Sequence, residues 1–279
     1  MTKRLAIVMA AGKGTRMKSD RAKVLIEVLG RPMIDYALDA LADAGVDRAI
    51  AVVGHEADLV ERHVAERGKR GTGTSPSAAD SPTTGLTLGA SPPFSVECIR
   101  QCPQLGTGHA VMMCRPKLVD YDGPVLVVAG DSPLMQADSI RALFDEFARS
   151  RPACILGTGY KDEPRGLGRI VRDERRQFVG IVEEKDASAE QRNIQEVNLS
   201  TYVFNCRDLL YALERLSNSN AQKEYYLTDC PGILRSAGRA VLALDVLAPC
   251  ESLSINTPEE LAVAEDYLRA HPPRRGGSP

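Results

Sequence analysis

Two sets of residues in this chain have the types and spacing to handle phosphate. The first is Ala10-Ala11-Gly12-Lys13-Gly14-Thr15, where small side chains let backbone N–H groups approach an anion, with Lys13, Arg16 and Lys23 supplying positive charge nearby. The second is Asp131, which follows an apolar run and Gly130 and precedes Pro133. A carboxylate just past a buried strand stands where open α/β sheets bind ligands, although it also suits the cap of a turn. Neither common phosphate motif fits. The pattern G-x-x-x-x-G-K-[ST] is absent, and Met17 occupies the third glycine of a dinucleotide fingerprint, so neither an ATPase nor an NAD enzyme is favoured. Taken alone, the Gly-Lys-Gly-Thr turn reads equally as a phosphate cradle and as a tight turn.

These residues need elements to hold them. Residues 5–9 form an unbroken apolar run, as in a parallel strand buried on both faces. Residues 32–44 repeat apolar side chains at helical spacing and end at Gly45. Residues 48–53 read as a second strand and 58–66 as a helix, giving a βαβα alternation and hence a parallel sheet covered by helices. Strands are predicted at 96–100 and 124–129, and beyond Ser150 at 153–159, 168–172, 178–183 and 196–205. Helices are predicted at 207–216 and 226–237, followed by a strand at 240–246. Thr257-Pro258-Glu259-Glu260 has the N-cap, N1 and N3 residues of a helix start, which sets Asn256 immediately before a helix.

Composition narrows the classes. A chain of 279 residues can build a sizeable core, and a net charge of -2 argues against coating nucleic acid. The seven cysteines are scattered without a C-x-x-C pair, as expected of reduced thiols in a cytoplasmic protein. No run approaches the ~18 apolar residues of a membrane span. Residues 68–95 are dominated by Gly, Ser, Thr, Pro and Ala and read as a flexible insertion, or as a lid or partner loop. Residues 271–279 read as a flexible tail.

Several individually weak motifs occur in one order: Ala10 to Met17, Lys23-Val24-Leu25, Gln104-Leu105-Gly106-Thr107-Gly108-His109-Ala110, Gly130-Asp131-Ser132-Pro133-Leu134, Gly168-Arg169-Ile170, Ile181 to Asp186, Glu196-Val197-Asn198 and Glu224-Tyr225-Tyr226-Leu227-Thr228-Asp229. In this order they resemble the sugar nucleotidyltransferases, closest to the bacterial uridylyltransferase domains that act on N-acetylglucosamine 1-phosphate. The resemblance implies an α/β, Rossmann-like fold with a mostly parallel central sheet and helices on both faces. It implies one domain over 1–270, with a nucleotide-binding part at about 1–150 and a smaller β-rich sugar-binding part at about 151–255. It further implies UTP and a sugar 1-phosphate as substrates, Mg²⁺ as cofactor, and UDP-sugar and pyrophosphate as products. By matching, Met9, Ala10, Ala11, Gly12 and Lys13 would hold the nucleotide, and Gln101 and Gly106, with Thr107 beside them, would read the uracil. Arg16 and Lys23 would contact phosphates, Asp131 and Asn256 would hold the metal, and Gly168, Glu183 and Asn198 would contact the sugar and ribose.

The chemistry is consistent with that set. A sugar phosphate is already largely dianionic near neutrality, so attack on an α-phosphorus needs positioned cations and not a covalent nucleophile. Plainer roles stand beside these: Asn256 as a turn-former, Glu183 as a solvated strand end, His109 as structural and Cys102 as an idle thiol. Ala22, Leu167, Ala129 and Ser200 stand where the family generally carries proline, tyrosine, an aromatic residue and glycine. Leu167 and Ser200 fall in the sugar region, which leaves other sugar 1-phosphates or triphosphates open as substrates, and a non-catalytic sugar-nucleotide sensor as the rival class. The acetylating hexapeptide-repeat region of bifunctional relatives has no counterpart in these residues, so no acetyltransferase activity is expected.

Overall fold

The computed structural model describes residues 3–14, 17, 19, 21–71, 94–253 and 255–272. In chain order the elements are β1 (Leu5–Ala10), β2 (Glu27–Val28), β3 (Arg31–Pro32), α1 (Met33–Asp43), β4 (Arg48–Val53), α2 (Ala57–Gly71), β5 (Ser95–Arg100), α3 (Thr107–Met112), α4 (Arg115–Leu118), β6 (Pro124–Ala129), α5 (Ala137–Ser150), β7 (Cys154–Tyr160), β8 (Gly168–Arg172), β9 (Phe178–Val182), β10 (Glu196–Asn205), α6 (Cys206–Leu213), α7 (Asp229–Ser236), β11 (Val241–Asp245) and α8 (Pro258–Ala270).

The main sheet runs β11-β7-β10-β6-β1-β4-β5, with the β8–β9 hairpin attached to β10. Strands β6, β1, β4 and β5 are mutually parallel, and β11 is parallel to β7. Only β10 reverses this seven-strand path, pairing antiparallel with both β6 and β7. Its first residues therefore lie at the edge where the parallel strands end: Asn198 faces Thr158 near the close of β7.

Side-chain alternation along β1 explains the layers. Ala6, Val8 and Ala10 face one core with Leu38, Leu41, Ile140 and Phe144 from α1 and α5, while Leu5 and Ile7 face the other with Leu209, Leu213 and Leu234 from α6 and α7. Period-two alternation is masked in sequence because both faces are buried. A smaller third cluster joins Met17, Val28, Met33 and Leu134 to Ile255, Ala264 and Leu268 of the C-terminal region. It docks α8 beside the loop after β6.

Several boundaries differ from the sequence reading. Residues 68–71 complete α2 and Ser95 opens β5, so the predicted insertion loses both its ends. Residues 72–93 lie outside the described residues. The α8 helix ends at Ala270 with His271 as its C-cap, which trims the predicted tail, and 273–279 are likewise outside the described residues. Helix α7 starts at Asp229, three residues later than predicted, because 226–228 form the turn that meets the loop after β5. Helix α5, absent from the predicted elements, is strongly amphipathic.

Candidate active site

The glycine loop after β1 is held from three sides. The Ala11 carbonyl accepts hydrogen bonds from His55 N at 3.1 Å and from Gln104 Nε2 at 2.6 Å, linking it to the ends of β4 and β5. Gly54 permits this crossing, since a Cβ there would lie 2.4 Å from Gln104 Nε2. Gly14 adopts φ +67°, a left-handed conformation suited to glycine, and a Cβ would lie 2.8 Å from Lys23 Cβ. Met9 is half-buried, Ala10 and Ala11 are buried, and Gly12 and Lys13 are exposed. Arg16 lies outside the described residues. Glu56, itself at φ 49°, accepts a hydrogen bond from Ala22 N at 2.5 Å and so fixes the residue before Lys23.

Lys23, Asp131 and Asn256, the outer two of which are 233 positions apart in sequence, meet at one point. The Lys23 ammonium forms an ion pair with Asp131 and donates to Asn256 Oδ1 at 2.8 Å. Asp131 reaches this point because Gly130 lets the end of β6 pass β1: Gly130 N donates to Met9 O at 2.9 Å, and a Cβ would stand 3.0 Å from Val8 Cγ1. Asn256 reaches it through the capping box of α8. Glu260 Oε2 accepts from Asn256 N at 2.7 Å and from Thr257 N at 3.2 Å, while Glu260 N donates to Thr257 Oγ1 at 3.2 Å.

Gln101 follows β5 with a buried side chain; its Nε2 donates to Gly106 O at 2.9 Å and faces His109 Nδ1 at 3.1 Å. His109 Nδ1 then accepts, which agrees with burial lowering the imidazole pKa and keeping the ring neutral. The next segment is zipped to residues 225–227. Tyr225 N donates to Leu105 O at 2.8 Å, Gly108 N to Tyr225 O at 2.7 Å, and Leu227 N to Thr107 Oγ1 at 3.0 Å. Gly106 has φ +103°, and a Cβ would lie 2.6 Å from Tyr225 O. The Thr107 hydroxyl is thus engaged in joining two segments of the wall.

Gly168, Glu183 and Asn198 form a second group. Gly168 pairs with Asn198 across β8 and β10, and a Cβ on Gly168 would lie 3.6 Å from Asn198 Cβ and 3.7 Å from Glu183 Oε1. Burial pushes the Glu183 carboxyl pKa up, opposed by the hydrogen bond from Thr228 and reinforced by Asp229 and Asp186. Thr228 Oγ1 donates to Glu183 Oε1 at 3.0 Å. Arg169 is buried, with its guanidinium on Leu167 O, on Arg192 O at 3.4 Å and on Glu184 at 3.3 Å, bracing the chain on either side of Gly168.

Gln104, Glu56, Thr228 and Arg169 join the site without having been predicted from spacing. Gln104, Thr228 and Arg169 lay inside quoted motifs, but contacts between distant segments, not spacing, give them their work. The groups lie along one rim: Gln104 bonds to the loop after β1, the segments 105–108 and 225–227 bond to each other, Thr228 bonds to Glu183, and Glu183 lies near Gly168. Such a rim of glycines, backbone donors, a lysine and carboxylates at the strand ends can hold a chain of phosphates with a polar group at either end.

A family model for the MobA-like NTP transferase domain matches residues 6–227. The chain is 40% identical over 270 residues to the bifunctional protein GlmU of Heliobacterium modesticaldum, covering 96% of this chain and 53% of that protein. It is 39% identical over 264 residues to the bifunctional protein GlmU of Streptococcus sanguinis, covering 95% and 51%. The chain thus spans about half the length of these curated relatives. A crystal structure of UDP-glucose pyrophosphorylase complexed with UDP-glucose shares the fold, with a TM-score of 0.72 at 17% identity over 97% of this chain and 99% of that one. The matched span includes the glycine loop, Lys23, Asp131, Gly168, Glu183 and Asn198, and the chain belongs to the MobA-like NTP transferase domain family.

Proposed function

We propose that this chain transfers a uridylyl group from UTP to N-acetylglucosamine 1-phosphate, releasing pyrophosphate and forming UDP-N-acetylglucosamine. The observation that carries this is the meeting of Lys23, Asp131 and Asn256 beside the glycine loop. Similarity to the two GlmU proteins supports the choice of substrates.

Two anions must approach each other in this reaction. Each pair of unit charges at 4 Å repels by about 4 kcal/mol at an effective dielectric near 20, so the site has to supply cations. Asp131 and Asn256 present two oxygens that already share one cationic atom, the Lys23 ammonium. This donor set fits Mg²⁺, which favours one or two protein oxygens together with phosphate oxygens. When bound there, Mg²⁺ would neutralise charge on the triphosphate and polarise the reacting phosphorus.

The chain's own residues do the rest. The loop from Ala10 to Gly14 seats the triphosphate, with Lys13 and Arg16 adding charge, and Gln101 and Gly106 bind the base. Glu183, Asn198 and Gly168 orient the sugar. A sugar phosphate oxygen attacks the α-phosphorus, the α–β phosphoanhydride bond breaks, and pyrophosphate leaves with the electron pair. No proton has to move in this step, and burial lowers the pKa of His109 beside Gln101.

A matrix of four nucleoside triphosphates against several sugar 1-phosphates, scored by pyrophosphate release, tests the assignment. UTP with N-acetylglucosamine 1-phosphate should give the highest kcat/KM, and Asp131→Ala should cut kcat by about 100-fold or more. A different best pair refutes the substrate assignment, and unchanged Asp131→Ala turnover refutes the site. A second reading, another N-acetylated or plain hexose 1-phosphate, is favoured by Leu167 beside Gly168 and by Ser200 in the left-handed region at φ 53° near Asn198.

A further inference from the structure

Lys23 does more here than await a phosphate. Its side chain is only 13% exposed, and its ammonium lies between the two oxygen donors proposed for the metal. A Mg²⁺-sized ion contacts oxygen at about 2.1 Å, so an ion on those oxygens would lie within roughly 4 Å of an unmoved ammonium. A dication and an ammonium repel strongly at that separation in a partly buried site, and one of them has to leave.

We propose that Lys23 is a built-in stand-in for the metal. In the free protein its ammonium holds Asp131 and Asn256 together, and a divalent cation enters only as Lys23 moves onto the phosphate of an arriving nucleotide. This rests on the metal site proposed above. The glycine loop provides the route. A Cβ on Gly14 would lie 2.8 Å from Lys23 Cβ and 3.0 Å from its Cγ, and Lys23 N donates to Gly12 O at 3.5 Å. The lysine stem therefore runs along the loop that seats the triphosphate. A flexible four-carbon stem with a rotatable ammonium can change partners there without moving its backbone. Metal and nucleotide then bind with positive coupling, and each raises the other's affinity by the same factor.

Mn²⁺ titration of the whole chain, followed by the electron paramagnetic resonance signal of free Mn²⁺, tests this without turnover. In the absence of nucleotide, Lys23→Met should bind Mn²⁺ at least about tenfold tighter than the unsubstituted protein, and adding Asp131→Asn should abolish the gain. A non-hydrolysable UTP analogue should tighten Mn²⁺ binding to the unsubstituted protein more than to Lys23→Met. Lys23→Gln should rank with Lys23→Met, so the test survives misfolding of either variant, with circular dichroism as the check. If Lys23→Met and Lys23→Gln bind Mn²⁺ no tighter while Asp131→Asn still weakens it, the stand-in role is wrong and the metal site stands. If Asp131→Asn changes Mn²⁺ affinity in no background, the metal site is wrong and the stand-in role falls with it.

Discussion

The Glu183 carboxyl sits partly buried at the end of β9, with its Oε1 held by Thr228 at 3.0 Å. Its pKa is raised from 4.5, first by burial, so ionisation is less favourable in the folded chain than in the unfolded one. The sign follows from linkage. Stability is unaffected while the carboxyl is protonated in both states and is lost as pH rises from about 4.5 through the folded value. Glu183→Gln removes this loss, so its urea midpoint should gain on the unsubstituted protein between about pH 4.5 and pH 7. A pH-independent difference would contradict the assignment. The same variant should raise KM for the sugar phosphate by roughly 10- to 100-fold, the loss of one hydrogen bond to a charged group, with little change for UTP. Glu183 was legible in sequence as part of an acidic run after a strand. That it stands apart from Glu184 and Asp186 was not, because Thr228 and Gly168, its neighbours in the fold, come from distant segments of the chain.

At the scale of elements, the segments 105–108 and 225–227 act as one wall, zipped by three hydrogen bonds: Tyr225 N to Leu105 O, Gly108 N to Tyr225 O and Leu227 N to Thr107 Oγ1. Gly106 makes that packing possible. Gly106→Ala places a Cβ 2.6 Å from Tyr225 O at φ +103° and should cost roughly 1–3 kcal/mol in urea unfolding. It should also weaken UTP binding, since Gly106 O is the partner of Gln101 Nε2. An alanine variant as stable as its parent would show that the wall is not closed in this way. The sequence marked both segments as motifs, yet nothing in their spacing shows that they touch. Backbone hydrogen bonds between remote loops leave no periodic signal.

At the scale of the whole molecule, three cores among the described residues divide the labour. Two cover the faces of the sheet, and the third anchors α8 against the loop after β6 through Leu134, Ile255 and Leu268. Ile255 is 1% exposed and adjoins Asn256. Ile255→Ala should cost about 2–5 kcal/mol and loosen Asn256, lowering Mn²⁺ affinity and kcat while leaving metal-free UTP binding intact. An equal loss of UTP binding would mean that α8 supports the whole rim and not the cation site alone. The alternation of strands and helices, the glycine loop and Asp131 beyond a buried strand can be read along the chain, because hydrophobic period, turn chemistry and strand ends are local properties. The reversal of β10 is a matter of strand pairing between distant segments, and it brings the start of that strand, and Asn198 with it, to the edge where β1, β4 and β6 end. Tertiary packing also set Asp131 and Asn256 on the one Lys23 ammonium, since that meeting depends on long-range burial of apolar side chains and not on any pattern along the chain.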